Sequence, residues 1–185
     1  MPEEGGRNLI STDPLVPGSV YTASVDDQVK VGLFRLEVGC SMGTGKLRTS
    51  GGIDSDMKEA IQRAFACLQG HKVEMGIGQS IDPTDFHAEA IDLLGNHVSC
   101  EAGVALVVAI HSAVKRQPAS PALLILGDLG IQGNIKAVRL LAEPLRIGID
   151  NSARRALIPI ENKRHFLDVP TTPRGRACEI SALHP

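Results

Sequence analysis

The sequence predicts an α+β domain, a mixed sheet with helices packed against it. Short segments of alternating apolar and polar residues lie next to one another. Two longer stretches instead carry apolar residues at helical spacing, and a strongly apolar run, Ala122 to Leu129, follows the second of them. At 185 residues the chain can bury one proper core and is too short for two comfortable domains. The expected division is a flexible lead-in or linker over residues 1–18, which hold three Pro and three Gly without periodicity, and one domain over 19–185.

Each element follows from its local pattern. "SVYTASV" and "KVGLFRLEVG" alternate as strands and join at Asp26-Asp27-Gln28 in a hairpin. "MGTGKLRTSGG" is a Gly-rich loop around a short strand. Asp54 or Ser55 caps a helix from Asp56 to about Gln69, with Met57, Ile61, Ala64, Phe65 and Leu68 on one face and Gly70 as its stop. "KVEMGIG" reads as a strand, Asp82-Pro83-Thr84 as a turn and "FHAEAIDLL" as another strand. Ser99 then caps a mostly buried helix with Glu101 in its first turn, where the helix dipole favours negative charge; Pro118 and Pro121 end it. "ALLILGDL" is a buried strand and "IQGNIKAV" pairs beside it. A short helix from Arg139 to Ile147 contains Pro144, "RRALIPI" is a strand, "ENKRHFLDV" a helical turn or two, and "RACEISAL" a closing strand.

Composition narrows the function. Apolar residues are 43%, charged residues 22% and the net charge is −2, so no global basic field draws the chain to nucleic acid. With no Trp, one Tyr and four Phe, the core is aliphatic and platforms for stacking bases are few. Cys40, Cys67, Cys100 and Cys178 form no CxxC pair, which argues against a zinc site. The start MPEEGGRNLISTDP has no charged-then-apolar signal, and no apolar run reaches the ~20 residues that span a bilayer. The expectation is a cytoplasmic protein without membrane contact.

"GTGK" resembles a phosphate-binding loop but fails its spacing. Leu47 follows Gly45-Lys46 where Ser or Thr is needed, and Cys40 stands where the first Gly should be. The glycines are read as a tight bend between strands.

Three blocks give the chain a family likeness. "GTGKLRTSGGIDSDMKEA" is similar to the Gly-rich strand, loop and Met-Lys-Glu helix start of the proteolytic domain of Lon-type ATP-dependent proteases. "LGDLGIQGNIKAV" resembles that family's Thr-Gly-Glu, strand, Gly, strand segment, with Gly127, Asp128 and Gly133 in register. "ALIPIENKRHFLDVP" resembles its Leu-Ile-Pro and Glu-Asn-Lys stretch. The likeness covers about three-quarters of the chain. It implies the Lon proteolytic fold, related to the second domain of ribosomal protein S5. With "PGSVYTASVDDQVKVGLFRLEV" and "AVRLLAEPL" added, the likeness becomes almost end to end to the BrxL group of AAA+ proteins from BREX phage-defence systems. That implies a domain fused behind an ATPase module, in a protein that forms homo-oligomeric rings, hexameric in Lon-type proteins, on DNA. ATP is then expected in the separate AAA+ module, with no cofactor or metal in this domain, and DNA contact only through the wider assembly.

Lon-type chemistry uses a Ser–Lys dyad, the Ser standing in a Pro-Ser-Ala-Gly motif. Ala102-Gly103 matches the end of that motif and places Glu101 at the Ser position. The family's ungapped interval then lands on Pro144 at the Lys position. The resemblance thus implies a degenerate dyad and a structural or oligomerisation role. An active peptidase would need another nucleophile: Ser99, whose first role is a helix cap, or Cys100, which a helix N-terminus could activate with His97 as base. Lys136 is the lysine to watch near Glu101. A DNA-contacting module is a further alternative, suggested by the BrxL likeness. Arg154, Arg155, Lys163, Arg164, Arg174 and Arg176 could contact phosphates if clustered on one face, although with acidic residues interleaved scattered surface charge is the plainer reading. His87 and Glu89 share a strand face and could join Asp85 at a metal, although a solvated face is the plainer reading. His111, mid-helix, reads as a hydrogen-bonded core residue.

Overall fold

The computed structural model describes residues 8–163 and 178–183. Strands β1 (Ser19–Val25) and β2 (Val31–Met42) form the expected hairpin. Its turn is held by Asp26, whose Oδ1 accepts the backbone N–H of Gln28 at 2.9 Å and of Lys30 at 2.8 Å. Further along come β3 (Leu47–Gly51), β4 (Thr84–Asp92), β5 (Leu123–Ile125), β8 (Arg155–Pro159) and β9 (Glu179–Leu183). All seven join one sheet in the order β3-β4-β2-β1-β5-β8-β9. Strands β6 (Asp128–Leu129) and β7 (Ile135–Lys136) make a separate antiparallel ribbon.

The sheet is mixed, as expected, but parallel pairing prevails. Only β1-β2 and β2-β4 are antiparallel; β3-β4, β1-β5, β5-β8 and β8-β9 are parallel. Parallel neighbours need crossovers, so helices cover both faces instead of hairpins following one another. Helix α1 (Ser55–His71) and α3 (Gly103–Lys115) pack on one face, against Phe34, Leu36 and Val38 of β2 and Phe86, Ala88 and Ala90 of β4. The other face, with Tyr21, Leu33, Leu124 and Ala156, is covered by α4 (Ala142–Asp150) through Leu145.

Helix α1 follows its sequence signals closely. Asp54 is the N-cap, accepting the Met57 N–H at 2.8 Å, and Met57, Ala60, Ile61, Ala64, Cys67 and Leu68 form its buried stripe. Gly70 does not stop it: its backbone stays helical and the helix runs on to His71. "KVEMGIG" is not a strand. Backbone bonds from Met75 to His71, Gly76 to Val73 and Ile77 to Lys72 wind it into turns that lead to the one-turn helix α2 (Gly78–Ile81). Its apolar residues share no face, Val73 being 81% exposed and Ile77 1%.

The described part of the expected lead-in packs against the domain. Residues 8–18 are docked, because Ile10 is buried in the second core and its N–H bonds the Asn151 carbonyl at 3.1 Å. Helix α4 begins three residues later than expected and holds Pro144 in its first turn, where a missing N–H leaves no intrahelical bond unmade. The helical turn expected over 161–169 lies largely outside the described residues.

Candidate active site

Between β4 and α3 the chain crosses the sheet in a fixed path. Asp92 folds the first turn, its Oδ1 accepting the N–H groups of Leu94 at 3.2 Å and Gly95 at 3.0 Å and its Oδ2 that of His97 at 2.9 Å. Ser24 on β1 then donates its hydroxyl to the Ser99 carbonyl at 2.8 Å. The segment 99–101 therefore runs along β1, and the helix starts only at Gly103, with Ala102 as N-cap and no side-chain cap bond.

This path changes the roles expected of three residues. Ser99 does not cap α3; its hydroxyl donates instead to Asp54 Oδ1, the cap of α1, at 3.1 Å. Glu101 precedes the helix, exposed, at a cleft of about 190 Å³ also lined by Ser24, Ser99, Gly127, Asp128 and Val138. Cys100 is 1% exposed with its Sγ 3.9 Å from Thr22 Oγ1. Burial pushes its thiol up to about 12 against the hydrogen bonds of Thr22 and Ser24, and the charges of Glu101 and Asp128 add to the rise. That is opposite to the lowered value expected of a thiol at an open helix start. His97 is exposed with φ 56°, and its backbone N–H is held by Asp92.

The start of α3 is built on the β6 strand. The Val104 N–H bonds the Gly127 carbonyl at 3.3 Å. A Cβ on Gly103 would stand 2.5 Å from Asp128 Oδ1 and 2.7 Å from the Leu129 nitrogen, so only glycine fits this approach. Asp128, 3% exposed, brings a carboxylate to the positive end of the helix. Its Oδ2 accepts from Arg63 Nη2 at 2.6 Å and Lys136 Nζ at 3.3 Å, while the buried Oδ1 has no hydrogen-bond partner among the described residues. Arg63 also donates Nε to the Leu129 carbonyl at 3.2 Å and faces Glu59 at 3.6 Å. Sequence reasoning missed Arg63; its signal was a charged residue bordering the apolar stripe of α1. Lys136 is taken up by Asp128, no lysine lines the cleft, and Pro144 is buried in α4.

The other candidates stand elsewhere. Asp85, His87 and Glu89 share one face of β4, yet Asp85 Oδ1 accepts the N–H groups of Lys46 at 2.9 Å and Thr44 at 2.8 Å. Those two bonds hold its carboxyl below the usual Asp range, and Arg48 and Lys46 help. The Gly-rich loop thus turns its N–H groups onto a carboxylate of its own chain. His87 Nε2 pairs with Ser50 Oγ at 2.8 Å. Among the described residues no three metal-ligating side chains converge. His111 is exposed, not a core residue. Arg155 pairs with Glu179 at 3.5 Å, Arg154 and Lys163 are exposed, and Arg164, Arg174 and Arg176 lie outside the described residues. No helix among the described residues is long and apolar enough to cross a membrane.

Residues 16–182 match the Lon protease (S16) C-terminal proteolytic domain. The chain belongs to this family. It is 28% identical over 174 residues to the Lon-like protease BrxL of Escherichia coli O9:H4 (strain HS) and 29% over 174 residues to that of Bacillus cereus (strain H3081.97). Each alignment covers 94% of this chain and 25% of the relative. The Lon protease of Escherichia coli (strain K12) is 26% identical over 139 residues, 75% of this chain and 18% of that protein. The chain thus spans about a quarter of the length of the BrxL relatives.

Proposed function

We propose that this Lon-family domain lacks a peptide-cutting dyad and serves as a structural and assembly module of a BrxL-like ATP-dependent protein. A Ser hydroxyl attacks an amide only when a neighbouring base removes its proton, and Lon-type enzymes use a buried Lys amine of lowered pKa. Ala102-Gly103 gives the register in which Glu101 replaces the Ser and Pro144 the Lys. A carboxylate attacking an amide gives an anhydride, an unproductive intermediate, and proline offers no base. The observation that carries this reading is Glu101 at a cleft whose wall contains no lysine. Two substitutes are poorly equipped. The Cys100 thiol is buried and stays protonated at neutral pH, and the Ser99 hydroxyl is spent on Asp54.

In this reading the domain packs flank to flank with further copies, in a ring of six, behind a separate AAA+ module that binds ATP. DNA is met only through that wider assembly, in the cytoplasm. The fold is the one shared with the second domain of ribosomal protein S5. Purified chain is expected to leave casein and a fluorogenic peptide intact and to scatter light as a species larger than a monomer. Cleavage that disappears in Cys100→Ala or Ser99→Ala would overturn the loss of the dyad. A monomer at every concentration would overturn the assembly role of the isolated domain.

A further inference from the structure

We infer that the chain carries a second site, away from the cleft, for a small organic anion with an aliphatic body. A cavity of about 850 Å³ opens where the segment 8–15 meets the turn that leads into β8, and it shares no lining residue with the cleft at Glu101. That volume lies within the range of small-molecule sites. Its wall includes two arginines, Arg35 of β2 and Arg154, and no acidic residue. The hydroxyl residues Ser11 and Thr12 share the lining, and half-buried Leu9 and Leu15 supply an apolar side.

The wall is fixed by its own hydrogen bonds. Tyr21 Oη accepts the Ser11 N–H at 3.0 Å, the Ala122 N–H bonds the Ser11 carbonyl at 3.1 Å, and the Arg154 N–H bonds the Ala122 carbonyl at 2.9 Å. These three bonds tie the segment 8–15, β1 and the start of β8 into one frame, so a ligand meets a preformed surface.

The charge balance favours one negative head group. Arg35 Nε lies 2.7 Å from Glu37 Oε1, an ion pair by distance, yet it is buried and out of line for a hydrogen bond. Glu37 offsets one positive charge. Arg154 has no acid partner among the described residues, which leaves one guanidinium, with its planar fork of donors, for an oxyanion. Carboxylate and phosphate ester heads share this chemistry.

The test is an amide-resolved NMR titration of the whole chain with hexyl phosphate, hexanoate, inorganic phosphate and hexanol. Hexyl phosphate or hexanoate is expected to shift Ser11, Thr12, Ala153 and Arg154 at millimolar concentration, with phosphate or hexanol alone binding at least about tenfold more weakly. The tighter of the two amphiphilic anions assigns the head. Arg154→Gln is expected to weaken binding about tenfold, the scale of a charge-assisted hydrogen bond. Arg155→Gln, whose guanidinium faces Glu179 outside the cavity, should leave it unchanged. Absence of shifts at these residues, equal affinity of the two variants, or hexanol binding as tightly as the anions would overturn the site.

Discussion

Two aspartates, Asp85 and Asp128, show how position decides what a carboxylate does. Asp85 stands on the open face of β4 and is satisfied by the N–H groups of Thr44 and Lys46, so it shapes a loop. Asp128 is buried at the start of α3, held by two cations on one oxygen and by none on the other, so it braces the floor of the cleft. The first is a local turn device on the surface; the second ties together α1, α3 and the β6-β7 ribbon.

The largest effect should come from Asp128→Ala. It removes the buried carboxylate that holds partly exposed Arg63 and Lys136, leaving Arg63 only Glu59 and the Leu129 carbonyl. The loss of such charge-assisted hydrogen bonds costs about 2 kcal/mol. Urea unfolding would measure that loss, and a midpoint equal to the parent's would reduce Asp128 to a surface charge like Asp85.

Alkaline pH should have the next effect, through Cys100 beside Asp128. Its folded value, about 12, lies above its unfolded value of 9.0, so the neutral thiol is retained longer in the native state. The contribution is complete below pH 9 and is lost as the pH rises towards 12. Cys100→Ala should flatten that alkaline decline in a series of urea midpoints; an unchanged slope would show that the thiol is not sequestered.

The smallest effect belongs to Asp85. Its folded value is depressed, so its contribution is present above the ordinary Asp range and fades as the pH falls through the lowered value. The protection factors of the Thr44 and Lys46 amides, each rate taken relative to the intrinsic rate at the same pH, should fall at acid pH and also in Asp85→Ala at neutral pH, with the global unfolding midpoint unmoved. A shift of that midpoint would break the contrast between the two aspartates.

Much of the fold was legible because its signals are short-ranged. The β1-β2 hairpin, the Asp54 cap and the apolar stripe of α1 rest on neighbours within a few residues. The strand expected over "KVEMGIG" does not form, because its apolar residues share no face, and only packing shows that Val73 and Ile77 have different surroundings. The site was legible in part. Glu101 at the cleft and Pro144 in α4 follow from position along the chain. The cap expected of Ser99 failed because Ser24 and Asp54, distant in sequence, compete for its backbone and its hydroxyl.

The sequence by itself determined the family, the helices α1 and α3, and which residue types stand at each position of the motif. Tertiary structure alone decided that Cys100 is buried, that Lys136 is bound to Asp128, and that the glycine loop closes on Asp85. Periodicity and capping act over one or two turns of chain, whereas burial and ion pairing depend on groups that only folding brings together.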